Sequence, residues 1–317
     1  MINNKIAILG GTGFIGSNLT QYLIGKNYCP LIIGRNIDSS KYVSGTVQLD
    51  EIDITFSGKI LNSIKDYDTI IWLVDNLVPG TSMDSLGDSF IFNTNPVIRL
   101  LEGLEKRKTQ SKFIFMSSGG SIYGDIGEKK AIVESQPKTP KSSYGLSKLV
   151  TEKYINYLTK KSQKIHTTIL RPSNVYGSGQ NFKKAQGIIG YGYNAIINNK
   201  TLDLYGGGNV VRDFIHVDDL IEAIWLVLNE PLVPNTINTY NVGANEGHTI
   251  IEVLDLMEKI SKNKINKNIL AARNVDCNYN TLDCSKIRAE LNWYPKIQLE
   301  TGLRELWHKM NNKNINQ

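Results

Sequence analysis

Short apolar runs alternate with helical stretches along the first half of the chain. Lys5 to Gly11, KIAILGG, is a run of apolar residues ended by glycines, and it predicts a buried parallel strand. FIGSNLTQYLIGKNY follows with helical periodicity, and CPLIIGRN predicts a second strand. YDTIIWLV (Tyr67 to Val74) and SKFIFMSS (Ser111 to Ser118) predict two more, with the amphipathic helix NPVIRLLEGLEKR between them. HTTILRPSNVYG adds a strand near residues 165–171. Strands alternating with helices predict an α/β fold built on a doubly wound parallel sheet, covered on both faces.

Beyond Arg171 the pattern loosens. GYGYNAIINNK reads as a helix, and LDLYGGGNVVRDFIHVDDL reads as strand, turn and strand. IEAIWLVLNEP is a helix, TYNVG a strand and TIIEVLDLMEKISK a helix. This mixture predicts a smaller mixed α/β C-terminal domain attached to the sheet. The expected division is 1–171 and 172–317, with segments of the two interleaved.

Composition adds bounds. The 317 residues are 41% hydrophobic and 21% charged, enough for one large or two medium domains. Cys29, Cys277 and Cys284 make neither a disulfide framework nor a metal-type pairing, so a reducing compartment is expected. The net charge is +6, but the lysines are spread among asparagines and isoleucines. They read as solvated surface with a mild bias towards anionic ligands, and no nucleic-acid module is present. The N-terminus lacks the apolar region and cleavage site of a signal peptide, and no run reaches the ~18 apolar residues that span a membrane. A soluble, cytoplasmic protein without a membrane partner is expected.

GGTGFIG joins the first strand to the first helix. Gly10, Gly13 and Gly16, with Phe14 and Ile15 between, form G-x-x-G-x-x-G. Such glycines let the backbone turn tightly and approach a pyrophosphate, which then sits on the helix N-terminus. With the required strand before it and helix after it, this stretch predicts a dinucleotide-binding, Rossmann-type first unit.

KSSYGLSK, Lys141 to Lys148, places Tyr144 and Lys148 one helical turn apart on a shared face. In isolation such a pair is a solvated surface contact; the other motifs give it a role. GGTGFIG, SSGGSIYG, YGLSK and RPSNVYG together resemble the extended short-chain dehydrogenase/reductase superfamily, over nearly the whole chain. VVRDFIHVDDL, YNVG and DCSKIRAELNWYP make it most similar to the sugar-nucleotide branch, and there to the UDP-glucose 4-epimerase group.

The resemblance implies specific roles. Tyr144 is expected to be the base that takes a sugar hydroxyl proton, although a free phenol has a pKa near ~10. Lys148 is expected to lower that pKa and to hold the nicotinamide ribose. The usual third hydroxyl falls at Gly119, a departure, so either Ser118 or Ser121 is expected to replace it. Related 4,6-dehydratases carry an Asp-Glu pair where this chain has Gly120 and Ser121, which removes their elimination chemistry.

The cofactor implied is NAD, with NADP an alternative. The second strand ends in Gly34, Arg35 and Asn36, without the usual acidic residue. Asp53 is expected near the adenine and Asn93 near the nicotinamide. Trp72 to Val74 replace a family HLA.

On the substrate side, Arg212 and Arg273 are expected on a diphosphate, with Asn174 close by. Asn280 is expected to border the sugar, its small side chain leaving room for an N-acetyl group. His216 is expected to be structural, and no metal site is expected. A homodimer is expected.

The activity implied is NAD-dependent inversion of C4 of a nucleotide-activated hexose, UDP-glucose/galactose or a UDP-N-acetylhexosamine, through a 4-keto sugar. A reductase of 4-keto sugar nucleotides is the alternative, and a non-catalytic dinucleotide-binding scaffold the third reading.

Overall fold

The computed structural model describes residues 5–53, 57–75, 86–180, 187–273 and 276–314. Its strands are β1 (Ile6–Leu9), β2 (Leu31–Gly34), β3 (Gln48–Glu51), β4 (Thr69–Trp72), β5 (Ser111–Met116), β6 (Ile165–Pro172), β7 (Asn174–Tyr176), β8 (Leu202–Tyr205), β9 (Val211–His216), β10 (Thr236–Val242), β11 (Gly247–Thr249), β12 (Lys267–Leu270) and β13 (Tyr279–Asn280). A seven-stranded sheet runs β10-β6-β5-β4-β1-β2-β3. All its pairings are parallel, as the alternation of strands and helices predicts.

Alternation along each strand divides the core into two layers. Ile6 and Ile8 of β1 face one cluster with Ile71, Ile114 and Met116. Ala7 and Leu9 face the other with Ile70, Trp72, Phe113 and Phe115. Side chains alternate across a strand with a period of two, so continuous apolar runs are what a sheet covered on both faces requires.

The strand order reverses at β1, whose neighbours are β2 and β4. In a doubly wound sheet the ligand crevice opens there, at the carboxyl ends of the strands. Gly10 to Gly13 after β1, Asp75 after β4 and Ser117 to Gly120 after β5 all lie at those ends.

Arg171 falls inside β6, and the sheet takes its last strand, β10, from the C-terminal part of the chain. The helix Val217–Asn229 packs into the layer that also holds Leu19 and Leu23 of the first helix. A third cluster gathers Tyr193, Leu204, Phe214, Met257 and Trp307 around a four-stranded sheet and the two-stranded β8–β12 pair. Among the described residues no helix is long and apolar enough to cross a membrane.

The helix Ser143–Lys161 carries the Tyr-x-x-x-Lys pair. Ser142 caps it by accepting a hydrogen bond from the Gly145 N–H at 3.1 Å, and Lys160 and Lys161 suit the negative end of its dipole. Gly145 permits a close approach, because a Cβ there would lie 2.4 Å from the Ser121 carbonyl oxygen. The first turn of this helix is thereby held against the Ser118–Ser121 segment.

Candidate active site

At the dinucleotide end, Gly10 has φ +87°, a left-handed conformation that favours glycine. A Cβ on Gly16 would lie 2.2 Å from the Gly10 carbonyl oxygen, so the loop closes on itself only with glycine there. Gly13 is the N-cap of the helix Phe14–Gly25 and supplies no side-chain oxygen to its first N–H groups. Phe14 and Ile15 are part-buried against the core beneath. Unblocked N–H groups at a helix N-terminus, approached by a bare backbone, fit a pyrophosphate.

At the end of β2, Arg35 lies 3.7 Å from Asp53, the arginine exposed and the aspartate half-buried. Asn36 has φ +53° and donates its N–H to Glu51 Oε1 at 2.9 Å. The expected adenosine-side residues Arg35, Asn36 and Asp53 are therefore neighbours. Asn93 is buried in the segment Phe90–Thr94. The next residue ties that segment to the Tyr144 helix, since Thr94 Oγ1 donates to the Ser147 carbonyl at 3.3 Å.

Tyr144 and Lys148 are both buried on the inner face of their helix. Lys148 Nζ donates to the Met116 carbonyl at 2.7 Å and lies 5.0 Å from the Phe115 ring centre. It also forms an ion pair of 2.6 Å with Asp75 Oδ1. The Tyr144 hydroxyl donates to Asp75 Oδ2 at 3.3 Å. The Ser118 hydroxyl also bonds the phenol oxygen, and Ser121 Oγ donates to Ser118 Oγ at 2.7 Å.

Asp75 belongs to no motif that sequence reasoning identified. The signal was available: a carboxylate directly after a buried parallel strand, where such sheets carry ligand-facing groups. Its presence bears on one expectation. Lys148 was expected to lower the Tyr144 pKa together with the positive nicotinamide; among the protein's own groups it is paired with Asp75. Burial, and then the Asp75 charge, push the phenol well above its usual value. The Asp75 carboxyl is itself raised by burial, which outweighs the attraction of Lys148.

Gly119 explains why the usual hydroxyl is missing. A Cβ there would lie 2.6 Å from a Leu282 methyl and 2.8 Å from the Arg171 carbonyl oxygen. Of the two serines expected to replace it, Ser118 touches the phenol and Ser121 reaches it through Ser118. Gly120 and Ser121 place no carboxyl group in that turn.

Asn280 sits elsewhere than expected. It is fully buried and donates to the Gly119 carbonyl at 3.1 Å, so it supports the turn from behind and borders no open space. Tyr279, beside it, is part-exposed. Asn280 pairs in register with Arg212 of β9, which links the Ser118 turn to the arginines.

Arg212 donates to the carbonyls of Val211 at 2.9 Å and Cys277 at 2.6 Å, and lies 3.9 Å from Asp276. Arg273 grips the same Asp276 through two bonds, of 2.8 and 3.0 Å, and stacks on Tyr205. Two guanidinium groups thus converge on one carboxylate, an arrangement an anionic diphosphate can exploit. Asn174 donates to the Asp213 carbonyl at 2.8 Å. His216 caps the helix Val217–Asn229, accepting from the Asp218 N–H at 3.3 Å, and burial lowers its pKa.

The comparisons with known proteins give the family. The model of the NAD-dependent epimerase/dehydratase family matches residues 6–243. A putative UDP-glucose 4-epimerase of Methanocaldococcus jannaschii is 30% identical, over 97% of this chain and 99% of that protein. The dTDP-4-dehydro-6-deoxyglucose reductase of Escherichia coli is 28% identical, over 96% of both chains. The crystal structure of a UDP-glucuronic acid 4-epimerase from Bacillus cereus, in complex with UDP-glucuronic acid and NAD, superposes with a TM-score of 0.88 at 26% identity, covering 98% of this chain and 99% of that one.

Proposed function

The chain belongs to the NAD-dependent epimerase/dehydratase family, and from that premise we propose that it inverts C4 of a nucleotide-activated hexose through a 4-keto sugar. The observation that carries this reading is the buried Tyr144, hydrogen-bonded by Ser118, beside a turn where Gly120 and Ser121 offer no acid–base pair for dehydration. The residues present fit NAD: the glycine loop and helix N-terminus would hold its pyrophosphate, and Arg35, Asn36 and Asp53 flank the adenosine end. When bound, the nicotinamide supplies reversible hydride transfer.

The chain's own groups do the rest. Arg212 and Arg273 exchange Asp276 for the diphosphate of the substrate. Ser118 orients the C4 hydroxyl against Tyr144, which takes its proton and later returns it. UDP-glucose and UDP-galactose are the substrates we favour, since Asn280, on which room for an N-acetyl group was expected, is buried away from the sugar. Because the sugar is oxidised and then reduced in the same site, no cofactor is consumed.

A 4-keto sugar nucleotide reductase is the second reading. It draws on the similarity to the E. coli reductase and on Gly34 and Arg35, which leave no carboxylate at the end of β2 to repel the 2′-phosphate of NADP.

The test is to incubate the purified protein, without added cofactor, with UDP-, dTDP- and GDP-sugars and to separate products by C4 configuration. A C4 epimer is expected from at least one. No epimer from any sugar, together with steady NADPH consumption on a 4-keto sugar, would replace this reading with the second. Tyr144→Phe keeps the ring and removes the proton carrier. It should retain fold and cofactor content and lose roughly 10²–10⁴-fold in rate.

A further inference from the structure

β10 is an edge strand of the seven-stranded sheet. Between β10, β6 and the helix Ser143–Lys161 runs a groove of about 630 Å³. That volume lies within the ~300–1,000 Å³ of small-molecule pockets. Its charged lining is one-sided. Lys138, Lys153, Lys160, Lys161 and Arg171 line it, with Glu152 as the one carboxylate among them. Arg171 and Glu152 are both buried and paired at 2.6 Å, so their charges cancel. Four lysine charges remain.

These lysines have no acids of their own. The ion pairs of the region, Lys130–Glu128, Lys141–Asp125 and Arg171–Glu152, involve none of them. The negative end of the helix dipole accounts for Lys160 and Lys161 in the last turn. It accounts neither for Lys153 in mid-helix nor for Lys138, which comes from the loop before the helix. Lys138 is fixed in place. Its Nζ donates to the carbonyls of Glu134 and Gln136 at 3.0 Å each, and lies 5.8 Å from the Tyr123 ring centre. An ammonium has three donors, so one N–H is left for a ligand. Burial and then the Arg171 charge lower the Lys138 pKa, and Lys153 adds to this against Glu152 and Glu134. The cations are therefore close enough to repel, and an anion bridging them would relieve that repulsion. Lys153 and Lys160 lie two turns apart on one face, ~10 Å along the axis. An extended anion of several charges meets them better than a single phosphate.

We propose that this groove is a binding site for a polyphosphate anion, the chemistry shared by inorganic tripolyphosphate and the phosphate chain of nucleoside triphosphates. Lys153 and Lys160 hold the chain along the helix, and Lys138 meets it from the loop. Beneath lies the Arg171–Glu152 pair, and Ser117 donates to the same Glu152 carboxylate at 2.6 Å. One ion pair thus stands between the groove and the turn that carries Ser118. Neither Tyr144 nor Arg212 nor Arg273 lines the groove, so the site is separate from the proposed reaction and does not depend on it.

The test is isothermal titration calorimetry of sodium tripolyphosphate and of ATP into the protein saturated with NAD, at ~50 mM salt, where screening is weak. At least one event per chain is expected with each probe. Arg212→Ala combined with Arg273→Ala, which removes the cations of the proposed diphosphate site, should keep one event. In that background Lys153→Ala with Lys160→Ala should weaken it by about tenfold or more, and Lys153→Arg with Lys160→Arg should preserve it. Lys65→Ala with Lys200→Ala removes the same charge from exposed positions outside the groove, and should change affinity by less than about twofold. An equal loss in this last pair would mean that net charge alone attracts the anion, and overturns the proposal. So would no binding, or binding indifferent to Lys153 and Lys160. ATP binding without tripolyphosphate binding also overturns it, since the base and not the phosphate chain would then be recognised. A second measurement needs no variant. Saturating tripolyphosphate should protect Lys138 and Lys153 from acetylation by acetic anhydride, read by mass spectrometry, and equal labelling with and without it overturns the assignment.

Discussion

Ser118 and Ser121 are one hydrogen bond apart, yet they stand differently towards the phenol. Ser118 touches the Tyr144 oxygen, and Ser121 reaches it only through Ser118. Ser118→Ala should lower kcat by about tenfold or more while changing KM little, because the lost bond is one that strengthens as the C4 proton leaves. Ser121→Ala should cost less, since Ser118 keeps its contact with the phenol. Steady-state kinetics on both variants check this, and a larger loss for Ser121→Ala would move the orienting role to that residue. From the sequence the two serines were nearly level, with Ser118 slightly favoured. What separates them is the turn itself, fixed by Leu282 and Arg171 pressing on Gly119 from distant parts of the chain. Asp75 escaped for a similar reason: nothing local joins it to a tyrosine 69 positions away.

At the scale of elements, the Tyr144 helix is pinned to the sheet by a buried ion pair. Arg171 of β6 meets both carboxylate oxygens of Glu152, at 2.9 and 2.6 Å, and also donates to the Tyr123 hydroxyl at 2.8 Å. Ser117 donates to the same carboxylate at 2.6 Å, one residue before Ser118. Removing one partner leaves the other charge buried and uncompensated, at a cost of about 3–5 kcal/mol. Arg171→Ala and Glu152→Ala should each fall in that range by urea denaturation. The double variant should cost clearly less than their sum, because the two charges are coupled. Equal additive losses would mean the pair is not buried as described. The sequence showed Glu152 only as a helical residue four after Lys148, with no sign of its partner.

The same contrast holds for whole elements. Buried strands such as β1, β4 and β5 were legible because both of their faces are apolar. β3, with sequence QLDE, is largely exposed at the sheet edge and gives no such pattern. The β8–β12 pairing joins residues 65 positions apart, a relation periodicity cannot express.

At the scale of the whole molecule, the outer side of the Tyr144 helix is unlike an ordinary solvated face. Leu146, Tyr154 and Tyr157 stand at helical spacing and are 42%, 42% and 63% exposed. The Phe90 ring lies 6.5 Å from Tyr154, and Ile91 is exposed beside it. Large apolar groups gathered on one surface mark an interaction site more often than chance exposure does. This face supports the homodimer proposed from the family resemblance, with two copies meeting through this helix. The same helix holds Tyr144 and Lys148 on its inner side, so pairing would also steady the site. Light scattering should give twice the chain mass for the native protein. Tyr154→Glu combined with Tyr157→Glu would bury like charges at the seam and should give a monomer with unchanged circular dichroism. Native mass already equal to one chain, or a dimer indifferent to both substitutions, would place the pairing surface elsewhere or remove it.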